Sequence, residues 1–112
     1  MKTSTGTPTK AEAARMAAFQ KIGCLACRSL GFYRTPEVHH LLSGNKRRGH
    51  LFTVPLCSWH HRSTPFDLYD QKSSTLAFGP SLALGSKPFH ARFGSDEELL
   101  AETNRLLEQI PA

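Results

Sequence analysis

Three observations predict a small α+β domain. Segments opening at Thr9 and Ser95 carry helix-start signals and run on as helical sequence. Between them, Glu37 to Leu42 and Leu51 to Leu56 read as strands joined by the turn-forming run Ser43 to Gly49. Four residues of metal-ligating type flank that hairpin in two pairs of identical short spacing, Cys24-x2-Cys27 and Cys57-x2-His60. The expected architecture is a hairpin and short helix gathered on a Cys3His zinc knuckle. N- and C-terminal helices and a long irregular wrap flank that core.

The 112-residue chain has the length of one domain. A core of this size is marginal without a staple, which gives the cysteines and histidines their interest. Residues 1–8 are Thr-rich and read as a disordered tail, and residues 9–112 as a single domain. In Thr9-Lys10-Ala11-Glu12 the threonine and the glutamate three residues on have the spacing of a capping box. The Ala-rich stretch to Ile22 continues that helix, and Gly23 is a natural stop. Residues 24–63 hold the metal core. In the second strand, Leu-Phe-Thr-Val-Pro-Leu, Pro55 removes a ladder donor and points to an edge or a strand end. Cys57 to about Ser63 begins a short helix. Residues 64–94 contain Pro65, Gly79, Pro80, Gly85, Pro88 and Gly94 and read as irregular. Ser95-Asp96-Glu97-Glu98 is a second capping box with acids in the first turn, where the helix dipole favours them. Leu99, Leu100, Thr103, Leu106, Leu107 and Ile110 then fall on one stripe over 95–110, and Pro111 ends it. That stripe reads as a packing face; the state expected is a monomer or a weak dimer.

Three cysteines cannot all pair within one chain, so a disulfide framework fits poorly and a reducing, cytoplasmic compartment is expected. No segment has the run of roughly 18 apolar residues that a membrane-spanning helix needs. The net charge of +5 hides an asymmetry: residues 1–94 carry 13 Lys/Arg against 4 Asp/Glu, and residues 95–112 carry 1 against 5. A basic surface on the part that holds the Cys and His residues suits a polyanion. Lys46, Arg47 and Arg48 in the hairpin connection, and Arg62 after the last histidine, are the candidate phosphate contacts.

Soft thiolates select zinc, and a closed Cys3His set suits a structural site. A redox Cys-x-x-Cys is the competing reading, but its usual βαβ setting is missing. Four of the six histidines form adjacent pairs, His39-His40 and His60-His61. With His60 in the knuckle, three remain. Metal-assisted phosphodiester hydrolysis needs a cation with open positions and a neutral imidazole that takes a proton from water. One histidine of each pair can hold the ion and the third can be the base; spacing alone leaves open which does what. Trp59 reads as knuckle packing, and His90 as structural or phosphate-side.

Glu37-Val38-His39-His40-Leu41-Leu42 followed by Val54-Pro55-Leu56-Cys57-x-x-His60-His61-Arg62 resembles the pattern of HNH (ββα-metal) nucleases. The resemblance spans roughly residues 20–63. It implies that His39 ligates a catalytic ion, that His40 is the general base and that His61 is the second catalytic ligand. It also implies that Cys24, Cys27, Cys57 and His60 form the structural zinc site. The catalytic ion would be Mg²⁺ or Mn²⁺, or a second Zn²⁺. Phe52 stands where the central Asn of the pattern falls, so Asn45 or His50 is expected to tie down the loop. Thr53 to Arg62, Gly79 to Ala83 and Arg92 to Gly94 are similar to phage Ref-type (recombination enhancement) nucleases. That resemblance implies DNA cleavage targeted by a RecA-type recombinase filament, in a bacterial or phage-infected cell. The competing class is a non-catalytic zinc-knuckle module that binds nucleic acid or acts as an adaptor.

Overall fold

The computed structural model describes residues 6–66 and 68–111. The expected tail therefore lies mostly outside the described residues. The first helix, α1 (Lys10–Ile22), starts at the predicted box: Thr9 Oγ1 accepts from Glu12 N–H, and Glu12 Oε1 accepts from Thr9 N–H. Gly23 ends it at φ 78°, and a Cβ there would meet the Tyr33 ring at 2.6 Å, so both conformation and space call for glycine.

A one-turn helix, α2 (Leu25–Ser29), follows from Cys24. Strand β1 (Glu37–His40) pairs antiparallel with β4 (Thr53–Leu56) in the register Glu37↔Leu56, Val38↔Pro55, His39↔Val54 and His40↔Thr53. The connection expected as an open basic loop contains a smaller hairpin, β2 (Leu42–Ser43) against β3 (Lys46–Arg47). Gly44, at φ 65°, supplies the positive φ at the first position of that two-residue turn. Every residue of β4 is buried, Pro55 included. With only two strands in the sheet, its missing N–H breaks no central ladder. Helices α1 and α6 (Asp96–Glu108) both pack on β4, and α3 (Ser58–Arg62) follows from Cys57. Ser95 and Glu98 cap α6 reciprocally as predicted, and Leu99, Thr103 and Leu106 of its stripe are buried.

Residues 64–94 depart from the expected irregular wrap. They hold α4 (Gln71–Phe78), a 3₁₀ turn at Leu82–Leu84 and α5 (Ser86–Phe93). Two of the glycines that suggested irregular structure are the ends of these helices: Gly79 and Gly94, at φ 87° and 110°, terminate α4 and α5. Eight-residue helices are marginal on their own propensity, so packing makes them. Phe78 and Phe89 enter the core, and Phe93 packs against it. The orphan carbonyls at the end of α4 are taken by core side chains. His60 Nε2 donates to Phe78 O at 2.7 Å, and Trp59 Nε1 donates to Gly79 O at 3.1 Å. Trp59 is fully buried, as knuckle packing requires.

Candidate functional site

Cys24 and Cys57 each occupy the N-cap of a five-residue helix. Their sulfurs accept from the backbone N–H three residues on, that of Cys27 and of His60 respectively, each at 3.5 Å. The x2 spacing is therefore the spacing from N-cap to third helical residue. One turn of helix holds each ligand pair and aims N–H groups at its sulfur. The two turns face each other. Cys27 Sγ lies 3.7 Å from Cys57 Sγ, and His60 Nδ1 lies 3.6, 3.6 and 3.3 Å from the sulfurs of Cys24, Cys27 and Cys57. A zinc tetrahedron with bonds of about 2.3 Å to sulfur and about 2.05 Å to nitrogen has edges of about 3.8 and 3.6 Å. The group fits a structural zinc in element, number and size. All four residues are buried, and among the described residues this is the one group of three or more such ligands already so close. His60 donates from Nε2 to Phe78 O, which leaves Nδ1 as the ligating atom.

Alternation along β1 separates the first histidine pair. Glu37 and His39 turn toward α3, where the His39 and His61 rings lie 5.0 Å apart. His61 Nδ1 donates to Glu37 Oε1 at 2.9 Å, so its lone pair is on Nε2. Arg62 forks onto both oxygens of the same carboxylate and holds it below the usual carboxyl range. Burial, reinforced by the charges of His61, His40 and His90, depresses His39 to about 4, which keeps its ring neutral and able to ligate near pH 7. His40 turns the other way, its Nε2 3.0 Å from His50 Nδ1. It is also depressed, by burial first and then by Arg47, His50 and His61.

His39 and His61 share a cleft of about 500 Å³ whose lining includes Leu42, Ser86, His90 and Asp96. Sequence reasoning left Asp96 out of the site and read His90 only as structural or phosphate-side, yet both line the cleft. His90 Nδ1 donates to Gly94 O at 2.8 Å, and its Nε2 lies 3.4 Å from Asp96 Oδ1. The signal was present in Phe89-His90-Ala91-Arg92-Phe93, where two phenylalanines at i, i+4 mark a buried helix face with the histidine beside it. Glu37 went unassigned because a carboxylate two residues before a histidine is ordinary in sequence.

The four candidate phosphate contacts divide. Lys46 and Arg47 stand exposed on β3. Arg48 instead pairs with Glu97 of α6 at 2.6 Å, its guanidinium 4.7 Å from the centre of the Phe52 ring. Arg62 is held by Glu37. Of the two residues expected to tie the loop, His50 is buried, 7% exposed, whereas Asn45 sits exposed in the turn. Among the described residues, no helix is long and apolar enough to cross a membrane.

No curated protein matches the chain. The family model described as recombination enhancement, RecA-dependent nuclease matches residues 8–108, a span that holds the whole knuckle and all six histidines; the chain belongs to that family.

Proposed function

We propose that this protein is a divalent-cation-dependent DNA endonuclease of the HNH type, directed to its target by a RecA-type filament. The observation that carries the reading is the histidine set on the β1–β4 hairpin and α3. His39 and His61 meet over one cleft with their coordinating atoms available, and His40 follows on the next residue. His39 and His61 would hold a Mg²⁺ or Mn²⁺ ion. When bound, that ion supplies positive charge to the scissile phosphate and the leaving oxygen. His40, neutral near pH 7, accepts the proton of the attacking water. Glu37 keeps His61 oriented by the hydrogen bond to Nδ1. Lys46 and Arg47 suit phosphates flanking the cut, contacts that position DNA without reading its sequence. Arg48 and Arg62 join them by exchanging Glu97 and Glu37 for phosphate.

Cleavage of supercoiled plasmid in Mg²⁺ or Mn²⁺ tests the reading, with and without a recombinase-coated complementary single strand. The expected result is cutting by the zinc-loaded protein and a loss of about 10²–10⁴-fold in His40→Ala. Dependence on the coated strand would support filament targeting. If folded, zinc-loaded protein cuts neither substrate, the chain is a zinc-knuckle binding module.

A further inference from the structure

Both ring nitrogens of His50 are engaged. Nε2 lies 2.8 Å from the Gly6 carbonyl oxygen and Nδ1 lies 3.0 Å from His40 Nε2. A carbonyl only accepts, so the first contact needs a proton on His50 Nε2. Neutral His50 then has a bare Nδ1, and the proton between the two rings belongs to His40 Nε2. Neutral His40 carries one ring proton, so its lone pair is on Nδ1. The backbone holding this arrangement is itself tied, because Thr53 Oγ1 donates to His50 O at 2.8 Å and Thr53 is buried.

We propose that His50, clamped by the Gly6 carbonyl, is a positioning residue that holds His40 in the Nε2–H tautomer and so makes Nδ1 the proton-accepting atom. This rests on His40 being the general base. When water attacks, its oxygen bonds to phosphorus and its proton passes to His40 Nδ1. The Nε2–H stays in place, and its bond to His50 becomes charge-assisted, which favours the imidazolium as it forms. A residue of the N-terminal segment thereby reaches the reacting atoms through two hydrogen bonds.

The test uses the full zinc-loaded chain. Long-range ¹⁵N–¹H spectra of the histidine rings at pH 8, without added divalent ion, read the tautomers directly. The expected result is a proton bonded to His40 Nε2 and a nitrogen–nitrogen coupling across the hydrogen bond to His50 Nδ1. A proton on His50 Nδ1, or a His40 ring protonated at Nδ1, overturns the inference whatever the activity. In single-turnover cleavage, His50→Ala should lower the rate constant by about 10–100-fold, short of the 10²–10⁴-fold that a general base contributes. The DNA concentration for half-maximal rate should be unchanged. His50→Asn should recover most of the rate, since its amide can donate to Gly6 and accept from His40. An undiminished rate in His50→Ala overturns the inference. Inactive wild-type protein that shows the expected tautomer overturns the nuclease reading instead.

Discussion

In His60 and His61, the partner that holds one ring nitrogen decides which nitrogen is left to coordinate. Phe78 O takes the Nε2 proton of His60 and leaves Nδ1 for the knuckle, while Glu37 takes the Nδ1 proton of His61 and leaves Nε2 for the cleft. Neighbours in sequence, these two rings use opposite nitrogens because one packs inward and the other lies half-exposed beside β1. Partners that orient a metal-bound imidazole typically matter 10–100-fold in metal affinity. Glu37→Ala is therefore expected to weaken Mn²⁺ binding by about 10–100-fold in calorimetric titration of the zinc-loaded protein. An unchanged affinity would confine Glu37 to its pairing with Arg62. Knuckle zinc should be retained in that variant, since Glu37 touches none of the four ligands.

At the scale of elements, β4 is the member to which the rest attach, and one α1 side chain makes the joint. Arg15 donates from Nε to Thr53 Oγ1 at 3.1 Å, from one terminal nitrogen to Thr53 O at 2.7 Å and from the other to Asn104 Oδ1 at 2.7 Å. A single guanidinium thus links α1, β4 and α6, beside the Thr53 that also anchors His50. Hydrogen bonds to a charged group contribute about 1.5–3 kcal/mol. Arg15→Ala should cost about 2–3 kcal/mol in urea unfolding with an unchanged m value. Arg15→Lys should recover little, because an ammonium does not reproduce the planar fork. A shift below about 0.5 kcal/mol would mean that the joint is carried by apolar packing alone.

For the molecule as a whole, the knuckle is where remote parts of the chain converge: α2 follows α1, α3 follows β4, and α4 ends on His60 and Trp59. Structural zinc in comparable small sites contributes about 10–16 kcal/mol of apparent binding free energy, as much as the whole net stability of a typical domain, about 5–15 kcal/mol. Removing zinc with a strong chelator, or substituting Cys57→Ser, should abolish cooperative thermal unfolding. It should also collapse the near-ultraviolet circular dichroism of Trp59, which is buried in the knuckle. Restored zinc should bring the signal back in the chelated wild type. A metal-stripped chain that kept both the transition and the Trp59 signal would separate the fold from the metal.

What was legible in the sequence by itself is what four consecutive residues decide. The capping boxes at Thr9 and Ser95 and the two ligand pairs all act across an i to i+3 span, so the residues that make each feature lie side by side in the chain. Period-two alternation along β1 is equally local, and it parts His39 from His40. Other features waited for tertiary structure because their partners are far apart in sequence. The helices of 71–93 lack propensity enough to declare themselves and form against the knuckle. Arg48 meets Glu97 across 49 residues, Arg15 meets Asn104 across 89, and the Gly6 carbonyl meets His50 across 44. Such contacts depend on how the whole chain closes, and no local pattern of charge or polarity encodes which partner a long-range donor will find.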